Sequence, residues 1–164
     1  MACQQLLIFI CLTGTVQLCC PDGWRKGKNS CYYIGTSLKT WVEASGICQA
    51  FHSELVVIND PEENFLLKKI ITNIKGAFST NFWMDGSDQI TEGLWVWAST
   101  METIRYTNWE QGEPNNYIGI AEDCLELYLS NFKWNDIRCT HANHFICEKE
   151  LTTQDQVGEL VGKR

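Results

Sequence analysis

The sequence has few cations, few histidines and none of the short motifs that mark common enzymes. Its 13 lysine and arginine residues are outnumbered by 20 aspartate and glutamate residues, which gives a net charge of −7. Because clustered cations supply most of the affinity for nucleic acids, a nucleic-acid partner is not expected. Only 3 histidines are present, and no nucleophile motif accompanies them, so we predict that the protein is not an enzyme.

Charged side chains are also missing from residues 1–19, which have an apolar centre at residues 6–12. This pattern predicts a secretory signal peptide over residues 1–19. A membrane anchor would need about 20 apolar residues in a row, and Thr13, Gly14 and Gln17 interrupt this run. No later segment is apolar for long enough to span a bilayer. We therefore expect a secreted, extracellular protein with no membrane segment.

The sequence lacks a C-x-x-C motif although it contains 9 cysteines. Without metal-ligand spacing, this abundance indicates disulfides formed in an oxidising compartment. Cleavage after Cys19 leaves six cysteines, and their pairing cannot be deduced from their number. Cleavage before Cys19 leaves seven cysteines, one of which would be unpaired, and an unpaired thiol would favour an intermolecular bridge. The six common to both cases are Cys20, Cys31, Cys48, Cys124, Cys139 and Cys147.

Two helices are predicted in the first half of the chain. Thr40 and Glu43 fit a capping box, so a helix should run to about residue 51. Its apolar stripe would contain Trp41, Ala44, Cys48 and Phe51. The second helix should begin with Asp60 as N-cap and Pro61 in the first turn. Its apolar face would contain Leu66, Ile70 and Ile74, and Gly76 would end it.

Short strands are predicted on either side of a long loop. The candidate strands are residues 54–58, 82–84, 94–98, 124–128, 132–134 and 144–147. Between Ala98 and Cys124 the chain is rich in Asn, Glu, Gly and Pro. A long ordered loop in a compact domain is usually functional, so we expect the site there. Residues 150–164 form a polar C-terminal tail.

Oxygen-bearing side chains occur in this loop and shortly after it. They lie in Glu113-Pro114-Asn115, in Glu122-Asp123 and in Asn135-Asp136. Calcium takes six to eight hard oxygen ligands from carboxylates, amides, backbone carbonyls and water. Each segment alone is more typical of a solvated loop, and no EF-hand pattern is present. Their joint order among the cysteines favours a calcium site.

These motifs together resemble the carbohydrate-recognition domain of the C-type lectin family over residues 20–149. The resemblance is carried by the opening residues 20–24 with Cys31-Tyr32, by Glu113-Pro114-Asn115 and by Trp134-Asn135-Asp136, in addition to the four later cysteines. It implies an α+β domain with two helices, antiparallel strands and a long calcium-binding loop. The three implied disulfides are Cys20–Cys31, Cys48–Cys147 and Cys124–Cys139.

The resemblance also implies where calcium and sugar bind. The principal calcium site, which is also the carbohydrate site, would consist of Glu113, Asn115, Glu122, Asn135 and Asp136. A less well matched auxiliary calcium site would consist of Asp88, Glu92, Asn116 and Asp123. Asparagine at 116 stands where the family commonly has aspartate, which removes one negative charge. In the family, Glu-Pro-Asn accompanies mannose-type sugars, and the Glu113–Pro114 peptide is cis when calcium is bound.

Two functions from different classes follow. The first is a secreted, calcium-dependent lectin that binds mannose, N-acetylglucosamine or fucose, for example on microbial surfaces in innate immunity. The chain has no collagen-like or heptad segment to cluster its domains, so multivalent binding would require a homo-oligomer. The alternative is a structural or protein-binding role on the same scaffold, as in biomineral-associated, ice-binding or venom relatives. Fold alone does not decide between these two functions.

Overall fold

The computed structural model describes residues 18–74 and 78–153 and contains two helices and a mixed sheet. The helices are α1 (Trp41–Ala50) and α2 (Pro61–Thr72). The strands are β1 (Leu18–Cys19), β2 (Arg25–Lys26), β3 (Ser30–Lys39), β4 (Glu54–Leu55), β5 (Phe82–Ser87), β6 (Val96–Trp97), β7 (Cys124–Leu127), β8 (Trp134–Ile137), β9 (Asn143–Glu150) and β10 (Thr152–Thr153). The predicted α+β class with two helices is confirmed.

The main sheet has the strand order β2-β3-β9-β5-β7-β8, with β4 paired to β9 and β6 paired to β5. Every pair in it is antiparallel except β5 and β9, which run parallel. The sheet is therefore mixed, whereas the sequence predicted antiparallel strands. β1 and β10 form a separate antiparallel pair. That pair joins residues 18–19 of the predicted signal peptide to residues 152–153 of the predicted tail.

Helix α1 begins as predicted. The Thr40 hydroxyl accepts from the Glu43 amide at 3.4 Å, and the Glu43 carboxylate accepts from the Thr40 amide at 2.9 Å. Trp41, Ala44 and Cys48 are buried on one face. Phe51 was predicted on the same stripe, and this is wrong: it lies at the helix end, remains 40% exposed, and packs edge-on against Tyr33.

Helix α2 also begins at its predicted cap, because the Asp60 carboxylate accepts from the Glu63 amide at 2.8 Å. Its buried face is displaced by one position from the prediction. Leu67 and Ile71 are the buried residues, whereas Leu66, Ile70 and Ile74 are only partly buried. The helix ends at Thr72. Gly76, the predicted stop, lies outside the described residues.

Several strand boundaries differ from the predictions. The first predicted strand shortens to Glu54–Leu55, although Val56 and Ile58 that follow are fully buried. The strand predicted at residues 132–134 begins instead at Trp134, because Phe132 adopts a left-handed turn conformation with φ of 61°. The ten-residue strand β3 was not predicted at all.

Three disulfides join cysteines within the described residues. They are Cys20–Cys31, Cys48–Cys147 and Cys124–Cys139, as the resemblance implied. The second ties α1 to β9, and the third ties the start of β7 to the segment after β8. Among the described residues, no helix is long and apolar enough to cross a membrane.

The core beneath the long loop is built around tryptophans. Trp134 is fully buried, and the rings of Trp97, Tyr106 and Trp109 meet it edge-on at centroid distances of 6.1, 5.5 and 5.9 Å. Its indole N–H donates to the Asn64 side chain on α2 at 3.1 Å. Because Asn135 and Asp136 follow Trp134 directly, this packing fixes the strand that carries them.

Candidate functional site

Strand β8 places the first two predicted ligands. Asn135 and Asp136 lie in the β7–β8 ladder opposite Glu126 and Leu125, respectively. Both side chains are almost inaccessible to solvent. The Asn135 side chain donates to Glu126, whereas the Asp136 carboxylate accepts from two backbone amides of the long loop. Each therefore has its own set of partners.

The Glu113-Pro114-Asn115 segment folds directly onto Asp136. The amide of Asn115 donates to both carboxylate oxygens of Asp136, at 3.1 and 2.9 Å, and the amide of Asn116 donates to one of them at 2.9 Å. The Glu113–Pro114 peptide is cis, as the resemblance implied. The Asn115 side chain is exposed and free to meet a ligand.

Glu113 lies against Asp136 in this arrangement. Partial burial, followed by a hydrogen bond with Asp136 and the negative charges of Asp136 and Glu122, raises the pKa of Glu113 to about 7. Its Oε2 atom is buried and has no hydrogen-bond partner in the described part of the chain. A cation between Glu113 and Asp136 would relieve both the crowding of charge and the missing contact.

Glu122 is connected to the same loop through Asn116. The Glu122 carboxylate accepts from the Tyr117 amide at 2.9 Å, and the Asn116 side-chain oxygen accepts from the Glu122 amide at 2.9 Å. Asn116 adopts a left-handed conformation with φ of 43°, which asparagine tolerates better than most residues. Asn116, which was expected to weaken the auxiliary site, therefore holds the loop that carries Glu122.

The predicted auxiliary residues also meet in the structure. Asp88 is buried, its Oδ2 accepts from the Gly93 amide at 2.9 Å, and its own amide donates to the Asp123 carbonyl at 3.2 Å. The Asn116 side-chain amide donates to the Glu92 carboxylate. Burial raises the pKa of Asp88, and the charges of Glu92 and Asp123 act in the same direction.

The chemistry of the orphaned oxygens fits a hard cation. The buried side-chain polar atoms without a partner, within residues 18–74 and 78–153, are Asp88 Oδ1, Glu113 Oε2, Trp95 Nε1 and His144 Nδ1. The two carboxylate oxygens among them belong to predicted calcium ligands, one in each set. Buried carboxylate oxygens normally have partners, and oxygen is the donor that calcium takes. The ligand types present therefore fit calcium.

The acidic side chains alone do not complete a site. No group of three or more His, Cys, Asp or Glu residues is arranged to hold a metal ion in the part of the chain that the structure describes. The structure joins Glu113 to Asp136 and Glu122 to Asn116, but it does not gather all three carboxylates around one point. Amide and backbone oxygens would have to complete the coordination.

One residue of this region was missed by the sequence analysis. Glu126 is 1% exposed, and its carboxylate accepts hydrogen bonds from the side-chain amides of Asn81, Asn135 and Asn143. An acidic residue at a fully buried position of a strand is unusual. The lone acid in Cys124-Leu125-Glu126-Leu127 was the available signal.

Comparison with known proteins places this geometry in a family. The model of the lectin C-type domain matches residues 37–149. Perlucin of Haliotis laevigata is 40% identical over 133 residues, which cover 80% of this chain and 83% of perlucin.

Solved structures share both the fold and part of the sequence. The cow C-type carbohydrate-recognition domain of CD23, crystallised in the presence of a GlcNAc2Man3 oligosaccharide, superimposes with a TM-score of 0.72 at 31% identity, covering 83% of this chain and 99% of that one. A calcium-independent type II antifreeze protein gives 0.72 at 25% identity, covering 83% and 98%. Calcium binding is thus typical of the fold but not universal in it. The family model, the relative and the structures agree: the chain belongs to the C-type lectin family.

Proposed function

We propose that the protein is a secreted, calcium-dependent lectin that recognises mannose-type sugars: mannose, N-acetylglucosamine and fucose. The observation that carries this proposal is the fold of Glu113-Pro114-Asn115 onto Asp136. Two backbone amides hold the Asp136 carboxylate, while Glu113 presents a buried oxygen that has no partner in the described chain. A purely structural loop would have little reason to keep an unpaired carboxylate oxygen beside another carboxylate.

The principal set divides into two roles. Glu113, Asn115, Glu122, Asn135 and Asp136 would hold the calcium ion through their oxygens. A bound ion would offer coordination positions to two neighbouring sugar hydroxyls. The carboxylates of Glu113 and Glu122 would accept hydrogen bonds from those hydroxyls, and the side-chain amides of Asn115 and Asn135 would donate to them. This arrangement of acceptors and donors would favour sugars whose two neighbouring hydroxyls have one particular geometry.

The auxiliary set has a supporting role in the proposal. Asp88, Glu92, Asn116 and Asp123 would hold a second calcium ion and so brace the loop next to the sugar. Asn116 already uses its side-chain nitrogen toward Glu92 and its side-chain oxygen toward the Glu122 amide. It would therefore act through these hydrogen bonds more than as a ligand, and Asp88 would contribute its unpartnered oxygen.

The setting of this activity is extracellular in our proposal. Three disulfides suit an oxidising compartment, and the apolar residues 6–12 suit a signal peptide. Partners would be mannose-type glycans, including those on microbial surfaces, bound without enzymatic turnover. Because one open site gives weak binding, a homo-oligomer would raise the avidity.

A glycan array with calcium and with EDTA tests the proposal. The wild type should bind mannose-type glycans with calcium only. The double variant Glu113→Gln with Asn115→Asp keeps the oxygens but exchanges acceptor and donor, so it should lose mannose and gain galactose while still binding calcium. Glu150→Gln with Asn29→Asp makes the same chemical changes at exposed positions outside the loop and should leave the array unchanged.

Two outcomes would contradict the proposal. Sugar binding that survives EDTA would show that recognition does not need calcium. A double variant that still prefers mannose would show that Glu113 and Asn115 do not determine sugar preference. An array without any glycan signal would favour the competing structural or protein-binding role. The calcium-independent antifreeze protein of similar fold makes that role a concrete alternative.

A further inference from the structure

The carboxylate of Glu126 is buried beneath the candidate sugar site and is surrounded by amides. Its Oε1 accepts from the side-chain nitrogens of Asn81 and Asn135, both at 3.0 Å, and its Oε2 accepts from that of Asn143 at 2.6 Å. Glu126 pairs directly with Asn135 across the β7–β8 ladder. Within residues 18–74 and 78–153 no lysine or arginine bonds to this carboxylate, so the amides satisfy it.

In two of these side-chain amides, a hydrogen bond to the oxygen also fixes the orientation. The side-chain oxygen of Asn81 accepts from the Leu129 backbone amide at 3.1 Å, and that of Asn143 accepts from the Thr80 hydroxyl at 2.9 Å. The side-chain oxygen of Asn135 accepts no hydrogen bond within the described part of the chain. Asn135 is therefore the one member whose oxygen is left for a ligand and whose orientation depends on Glu126.

We infer that Glu126 is a positioning residue that fixes the Asn135 side-chain amide with its nitrogen inward and its oxygen toward the calcium ion. A carboxylate is an acceptor only, so turning the amide over would place two oxygens against each other at a buried position. In the fixed orientation one N–H serves Glu126, and the second N–H stays free for a sugar hydroxyl. This inference rests on the proposed calcium site.

The location makes this control effective. Glu126 and Asn135 are both buried, and hydrogen bonds to a charged group are strong where water is excluded. Partners that orient a metal ligand typically matter about 10- to 100-fold for metal affinity. Glu126 should therefore influence calcium binding although it is not itself a ligand.

Three variants separate positioning from mere structural support, with calcium affinity measured by titration calorimetry and folding checked by circular dichroism in EDTA. Glu126→Met removes the acceptor at nearly constant length and should weaken calcium binding about 10-fold or more. Glu126→Gln keeps an oxygen for Asn135, while the Thr80 hydroxyl can donate or accept as Asn143 turns; it should restore most of the affinity. Asn81→Ala removes another donor to the same carboxylate and should lower stability but leave calcium affinity unchanged.

The outcomes are distinct from those of the proposed function. A wild-type protein that binds no calcium would refute the calcium site itself. If the wild type binds calcium and folded Glu126→Met binds it equally well, Glu126 has only a structural role. The inference is also overturned if Glu126→Gln loses as much affinity as Glu126→Met, or if Asn81→Ala loses as much. Reduced mannose binding should accompany reduced calcium binding in Glu126→Met and recover in Glu126→Gln.

Discussion

Glu148 should make the calcium-free domain less stable as the pH rises. Its side chain lies on β9, largely buried, and Oε2 accepts from the Val57 backbone amide at 3.1 Å. Burial raises the pKa of Glu148 from 4.5 to about 7, a hydrogen bond from Ser30 opposes this, and the charge of Glu63 adds to it. Since the folded state holds the proton more tightly than the unfolded state, the free energy of unfolding falls as the pH rises from about 4.5 to about 7.

The size of the effect follows from the same values. One pKa unit corresponds to about 1.4 kcal/mol, so the difference between 4.5 and about 7 limits the contribution to about 3 kcal/mol. Integration over the two protonation equilibria assigns about 2–3 kcal/mol of this to the interval from pH 5 to pH 8. Glu148→Gln keeps an oxygen for the Val57 amide but carries no charge, so it should not show this loss.

Urea unfolding in EDTA at pH 5 and pH 8 measures the effect. The stability advantage of Glu148→Gln over the wild type should be about 2–3 kcal/mol larger at pH 8 than at pH 5. Asp85, whose pKa burial raises to about 6, acts in the same direction in both proteins. Glu150→Gln on the exposed end of the same strand is the control. An advantage that does not change with pH would refute the reasoning.

Three further predictions concern the framework that carries the site. Replacing both Cys48 and Cys147 by alanine should lower the free energy of unfolding by about 4.7 kcal/mol in the loop-entropy model, because this disulfide closes a loop of 99 positions. Urea titration measures this loss, and a value under about 1 kcal/mol would contradict the model. Gly35→Ala should lower the free energy of unfolding by about 1–3 kcal/mol, since its Cβ would lie 2.3 Å from the Phe145 ring. In a Phe145→Leu background the same substitution should cost less, and an equal cost with Phe145 and with leucine would rule out this contact as the cause. Thr40→Ala should cost about 1 kcal/mol in thermal unfolding through the lost helix cap, and Thr40→Ser should not.

Features that depend on local chemistry were predictable from the sequence. Thr40 and Asp60 cap their helices through residues three positions away, so the helix starts required no knowledge of the fold. The buried face of α2 did require it. Leu66 and Ile70 repeat with the same period as Leu67 and Ile71, and only packing against the sheet selects the second pair.

Strand β3 shows why a long element can be missed. Its burial does not alternate along the strand, because one part is enclosed by neighbouring strands and the end is open to solvent. Period-two reasoning therefore finds no signal there. The absence of alternation reflects the position of the strand between β2 and β9, which is a property of the assembled sheet.

Some residues of the candidate site were predictable from the sequence, and others were not. Glu113, Asn115 and Asp136 stand in recognisable motifs. The structure joins Asn115 to Asp136 by hydrogen bonds from the loop to the strand and places Glu113 beside Asp136. The role of Glu126 depends on its register opposite Asn135. Register is set by the whole sheet, so no local motif could have revealed the pair.

The tryptophan cluster under the loop gives the domain an optical reporter of its own. The indole of Trp134 meets those of Trp97 and Trp109 at 6.1 and 5.9 Å, close enough for their electronic transitions to couple and to give a strong near-ultraviolet circular dichroism. Trp134 is also covalently next to Asn135, so a change at the proposed calcium ligands should alter the coupled indoles. Titrating calcium or sugar into the unlabelled protein should therefore give a spectroscopic signal from within the site, without a dye or an immobilised partner.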